Sequence, residues 1–241
     1  MGFLLGFDTK ERGERPAQHW TTEKREAFLF RLDVEPPLTI DSYNSFSLFE
    51  HHPNLLPEQF DIVYPSFWDS LEYLDTQLQK ITPPFPPYLV VAVTLIDETL
   101  DGREKQAFEE YLKGAATVRA IANIPGQTDP ETWVVGLASP DVLDQKWKFL
   151  GYDIADLAET SGLTNCSIEE GKKVEHRSRW GGHLNRYHLF EDFSQAQAFK
   201  DYCNQSVPEH APFFVFGLWL IREVQGSDEA PATSFTDSGN S

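Results

Sequence analysis

The chain has 241 residues, with 20 lysines and arginines against 38 aspartates and glutamates, for a formal net charge of −18. That balance excludes nucleic acid as a direct ligand, because phosphate binding needs a basic footprint, and it excludes an anionic membrane surface for the same reason. Hydrophobic residues at 40% and aromatics at 13% are too abundant for a disordered chain, and they supply a core that needs no disulfide or metal to fold.

In chain order, the N-terminus Met1–Asp8 lacks the basic start of a signal peptide and reaches a charge within eight residues, so no leader is expected there. Ala27–Val34 reads as a strand ended by Pro36-Pro37. Trp68–Ile81 reads as a helix, since Trp68, Leu71, Leu74, Leu78 and Ile81 recur at steps of three and four with acids between them. The run Pro83–Pro87 stops it, and Tyr88–Ile96 follows as a nearly continuous apolar strand, the pattern of a sheet covered on both faces. A second helix is predicted over Glu104–Val118, a short strand over Thr132–Leu137, a third helix over Ser194–Cys203 and a last core strand over Phe213–Ile221. The irregular alternation predicts an α+β fold: one domain over 1–224, a mixed or antiparallel sheet packed by about three helices, and an acidic disordered tail over 225–241. No apolar run approaches the ~18 residues of a membrane span, and two cysteines are no disulfide framework. A soluble, cytoplasmic protein is the expectation.

One stretch stands apart. Between Leu32 and Gln79 there is no lysine or arginine, while nine carboxylates alternate with eight aromatics. A one-signed block with large rings suits docking a basic protein: the acids steer the encounter and the rings supply anchors. The candidate contacts are Asp61, Tyr64, Trp68, Asp69, Glu72, Tyr73 and Asp75. The bland account makes the rings core and the acids a solvated edge.

The charge reverses later. Lys172, Lys173, Arg177, Arg179 and Arg186 crowd a segment that also holds His176, His183 and His188. This island reads first as an internal counter-patch for the acids; a homodimer contact or an anion site near Gly181-Gly182 are the other readings. The histidine separations match no helical zinc spacing, so no metal or other cofactor is implied. Nucleophilic chemistry would fall to Cys166, with His176 and His183 nearby, as an enzyme or small-ligand site. No phosphate loop, dinucleotide fingerprint or serine-hydrolase elbow is present, and no catalytic residue is assigned.

The block Leu150–Cys166 (LGYDIADLAETSGLTNC), the pairs Leu184-Asn185 and Leu189-Phe190, and Val207–Trp219 (VPEHAPFFVFGLW) together resemble a family of uncharacterised bacterial proteins of similar size. The resemblance spans roughly residues 147–222 and implies an immunity or accessory role beside secreted toxins; it transfers no catalytic residue. Read physically, Gly151, Gly162 and Pro208 mark turns, and Asp153, Asp156 and Asn165 are placed to hold a turn-rich segment by side-chain-to-backbone hydrogen bonds. The combined expectation is a non-catalytic immunity protein that occludes a basic toxin.

Overall fold

The computed structural model describes residues 2–11, 38–40, 71–81, 83–85, 87–96, 100–122, 146–158, 160–163 and 178–227. The predicted strands at Ala27–Val34 and Thr132–Leu137 lie outside them. Four strands form one antiparallel sheet in the order β1-β2-β4-β3: β1 (Gly2–Glu11), β2 (Tyr88–Ile96), β3 (Lys148–Ala155) and β4 (Phe214–Val224). Among the described residues three α-helices accompany it: α1 (Leu71–Leu78), α2 (Gly102–Ala122) and α3 (Phe193–Ser206), with a 3₁₀ turn at Gly181–His183. The fold is α+β, and of the two sheet types expected it is the antiparallel one.

Alternation along the central strands sorts the core into two faces. Leu89, Val91, Val93 and Leu95 of β2 join Phe214, Phe216 and Leu218 of β4 on one face, covered by Phe108 of α2 and by Leu38 and Ile40. Tyr88, Val90 and Ala92 face the other way and meet Leu74 and Leu78 of α1. Phe213 and Val215 share that second face with Ala196, Phe199 and Cys203 of α3. Helices on both sides explain why β2 is apolar without a polar alternate, as its sequence predicts.

The helix ends follow from their capping residues. Asp101 Oδ1 accepts from the N–H groups of Arg103 and Glu104 at 2.7 and 2.8 Å, and Glu104 Oε2 accepts from Asp101 N–H at 3.0 Å, a reciprocal capping box. The N–H donors of Glu104 and Arg103 also hold the Asp101 carboxyl below its usual range. Asp192 caps α3 through Gln195 N–H at 3.0 Å, and Val207 N–H closes its far end on Cys203 C=O at 2.9 Å. Lys200, nearly buried on α3, reaches Glu104 at 2.8 Å and ties the two helices together.

Two strands went unread in the sequence, β1 and β3, and both are edges of the sheet. Each carries a bulge at a glycine in a conformation that disfavours other residues: Gly6 at φ 153° and Gly151 at φ 148°. The bulges shift the side-chain alternation that would otherwise mark a strand. Ile40 spans the two edges: its C=O accepts from Lys10 Nζ of β1 at 3.3 Å, and its N–H donates to Asp153 Oδ2 of β3 at 2.8 Å. A flat four-stranded sheet holds its edge strands about 14 Å apart, and the long side chain of Lys10 together with that of Asp153 lets one residue bridge both. Of the expected tail over 225–241 the described residues reach Ser227, which exchanges two backbone hydrogen bonds with Phe85 at 3.0 and 3.1 Å.

Candidate functional site

The acidic block enters the described structure chiefly through α1. Its apolar residues stand at the expected spacing, with Leu74 and Leu78 buried and Leu71 half-buried, while Glu72 and Thr76 are exposed. The amphipathic pattern therefore fixes which acid faces out. Asp75 is different: it lies beside Arg222 of β4, with Nη1 3.3 Å from Oδ2 and Nη2 in contact with Oδ1. Both side chains of that pair are 37% exposed, so water screens it. Tyr73 falls within α1, and Asp61, Tyr64, Trp68 and Asp69 lie outside the described residues. Of the predicted contacts, the structure thus places Glu72 on the surface and engages Asp75 internally.

The densest polar cluster sits at the end of β3. Asp153 is fully buried, and its carboxylate accepts from Ile40 N–H at 2.8 Å, Ile154 N–H at 2.8 Å and Ser161 Oγ–H at 2.6 Å. Ser161 Oγ in turn accepts from Leu163 N–H at 3.2 Å. Asp156 Oδ1 holds Ala158 N–H and Thr160 N–H at 2.9 and 2.8 Å, an Asx-type turn, while Oδ2 lies 2.7 Å from His210 Nδ1. The expectation that Asp153 and Asp156 brace a turn-rich segment holds, although the segment opens with a strand. Asn165, the third residue of that expectation, lies outside the described residues.

Asn185 performs a matching task on the facing loop. Its Nδ2 donates to Leu150 C=O at 2.7 Å, and its Oδ1 accepts from Tyr187 N–H at 2.8 Å and Leu189 N–H at 3.3 Å. Phe190 and Tyr152 then exchange backbone bonds of 2.8 and 2.9 Å, which covers part of the β3 edge. The close approach demands Gly151: a Cβ there would stand 2.6 Å from Leu189 Cβ and 3.0 Å from Phe190 O.

These groups have structural rather than catalytic geometry. A serine nucleophile must be reachable by substrate, whereas Ser161 is fully buried and its hydroxyl serves Asp153, a carboxylate also held by two backbone N–H groups. Cys203 is buried, and desolvation, with Asp153 nearby, pushes its thiol well above the ordinary range, so the reactive thiolate is suppressed. Of the alternative site, Cys166 and His176 lie outside the described residues, and His183 stands exposed on the 3₁₀ turn. Among the described residues no three histidines, cysteines or carboxylates group as a metal site.

Of the basic island, Arg179, His183, Arg186 and His188 fall within the described residues. The exposed Arg179 guanidinium lies 4.6 Å over the Trp180 ring and 5.6 Å from that of Tyr202. Arg186 lies 4.6 Å over Tyr187. The described acid of the block that is ion-paired, Asp75, meets Arg222 from outside the island.

Sequence reasoning missed His210, Asn185 and the buried Lys10–Asp8 pair at 2.8 Å. The alternation in Leu5-Gly-Phe-Asp-Thr-Lys10 was a signal for the last, since it places Asp8 and Lys10 on one side of a strand. Among the described residues no helix is long and apolar enough to cross a membrane. No protein-family model, curated protein or solved structure matches this chain.

Proposed function

We propose that this protein is a non-catalytic binding protein that docks a basic protein partner through its acidic block, with the outer face of α1 as part of the contact. One observation carries the reading: α1 buries Leu74 and Leu78 and leaves Glu72 exposed, within a stretch that contains no lysine or arginine. In a chain of net charge −18 that face is repelled by anions and attracts cations. The saturated hydrogen bonds of Asp153 and Asp156 and the suppressed thiol of Cys203 support binding over catalysis. The resemblance of the block from Leu150 to Trp219 gives the reading its concrete form, an immunity protein that occludes a basic bacterial toxin. Carboxylates would steer association and aromatics of the block would fill the centre.

The test is to identify the product of the neighbouring gene and measure its association and dissociation rates with this chain across salt. Association is expected to slow at least tenfold between low and high salt, on the order seen for steered pairs. Charge reversal at Asp61, Asp69 and Glu72 together should slow it at low salt while leaving the fold intact by circular dichroism. Binding that ignores both salt and reversal removes the acidic block from the interface.

A further inference from the structure

We infer that a row of half-buried rings on the second face of the sheet, Phe193, Tyr152, Phe149 and Trp219, seats arginine side chains of the basic partner. The row is continuous. Ring centroids lie 5.6 Å apart between Phe193 and Tyr152, 4.7 Å between Tyr152 and Phe149, and 4.8 Å between Phe149 and Trp219. It starts on the first residue of α3, crosses β3 to β4, and ends at Trp219, which packs against the cluster beneath α1.

Position along β4 explains why these rings stay half-buried. Phe213 and Val215 point to the same face and are fully buried in the cluster of α3. Past Gly217 the strand has left that cluster, and Trp219 is half-buried, as are Phe149 and Tyr152 beside it on β3. Contiguous large rings that remain partly exposed mark a surface built for contact.

The rings are also held in place. Trp219 Nε1 donates to Thr94 Oγ1 at 3.1 Å, and a Cβ on Gly217 would stand 3.3 Å from that nitrogen, so the indole lies close against the glycine. Tyr152 is fixed by the two backbone hydrogen bonds it exchanges with Phe190. Along the row the rings are inclined by 59°, 61° and 56°, not stacked flat, so each covers only part of its neighbour's face. Rings fixed on strands lose little freedom when a partner docks.

The occupant follows from charge and ring chemistry. A ring face attracts a cation, and a planar guanidinium stacks on it. A second copy of this chain brings a like net charge of −18, and a polyanion is repelled in the same way. Glu191 is exposed two residues before Phe193, and Glu72 is exposed on the helix at the other end. The nearby bases do not oppose a cation from the row: Lys148 alternates to the first face opposite Leu220, Lys146 has a partner of its own, and Arg222 pairs with Asp75. On the basic-partner reading, on which this rests, acids steer the encounter and the row holds the cation once docked.

The experiment is calorimetric titration of the full chain at low salt with two probes of equal charge, deca-arginine and deca-lysine peptides. Deca-arginine is expected to bind about threefold tighter or more, because stacking on rings favours the guanidinium. Phe149→Leu with Phe193→Leu keeps apolar bulk and removes two ring faces; it should erase most of that preference and leave deca-lysine bound as before. Glu72→Lys should weaken both peptides alike and keep the preference. If the leucine pair disturbs the fold by circular dichroism, each single leucine substitution replaces it and should remove part of the preference. No preference in the wild type, or one unchanged by leucine, overturns the inference and leaves the basic-partner reading standing. Binding of neither peptide overturns both. A dimer in sedimentation velocity that the leucine pair dissociates assigns the row to a second copy and overturns the inference as well.

Discussion

The carboxylates at the end of β3 and those on α1 differ in what surrounds them, and the difference separates structural from recognition duty. Asp153 has no exposure and three donors, and Asp156 holds two backbone N–H groups and His210. Glu72 faces water, and Asp75 shares a half-exposed pair with Arg222. A buried acceptor is costly to remove because its donors are left without partners, whereas an exposed one is replaced by water. The same residue type therefore supports the fold in one place and a charged surface in the other.

The sharpest way to break the β3 region is Gly151→Ala. The substitution forces a side chain into positive φ and into Leu189 Cβ at 2.6 Å. A loss of about 4 kcal/mol or more is expected by urea denaturation, from strain and overpacking combined. Asp153→Ala comes next. It strands the donors of Ile40, Ile154 and Ser161, for a loss of about 3 kcal/mol. A double-mutant cycle with Ser161→Ala should show a coupling near 1 kcal/mol, and additivity between the two would deny that they form one unit. Neither substitution should alter association with a basic partner in the fraction that stays folded, whereas α1 reversals should do the opposite.

A third effect is pH-dependent. The Cys203 thiol is held neutral by burial, its folded pKa raised above the ordinary value of 9.0. Unfolding releases the proton above that value, so the contribution to stability is complete below about pH 9 and declines as pH rises toward the folded value. The expected slope is up to about 1.4 kcal/mol per pH unit for one group. Urea melts at pH 8, 9 and 10 should show this decline in the wild type and a shallower one in Cys203→Ala; identical slopes would place the thiol in water. Buried Tyr88 is raised by desolvation too and adds its own decline at higher pH. The smallest effect belongs to the α1 pair: Asp75→Asn should cost about 0.5 kcal/mol or less and vanish in high salt. A loss as large as that of Asp153→Ala would erase the contrast between the two regions.

Legibility in the sequence followed burial periodicity. Leu71, Leu74 and Leu78 announce α1, the run Tyr88–Ile96 matches β2 end to end, and of the apolar positions Ala196, Ala198, Phe199 and Tyr202 expected to face inward on α3, Ala196 and Phe199 are buried, Tyr202 is half-buried and Ala198 is exposed. β1 and β3 escaped because bulges at Gly6 and Gly151 break the alternation that a strand otherwise shows, and because buried Asp8, Lys10 and Asp153 imitate a loop. Their polarity makes sense only once their partners are known. The local turn duty of Asp156 was readable, since its donors lie two and four residues away. Its contact with His210, 54 residues on, was not.

By itself the sequence determined the sign of the surface, the base-free block and the period-bearing elements, since charge and apolar spacing are properties of the chain whether or not it is folded. Only the tertiary structure decided which acids remain on that surface. Burial and hydrogen bonding are assigned by residues distant in sequence: Ile40 meets Asp153, Arg222 meets Asp75, and Trp180 with Tyr202 holds Arg179. A count of carboxylates becomes a candidate interface only after those partners have taken their share, and on α1 the acid left facing water is Glu72.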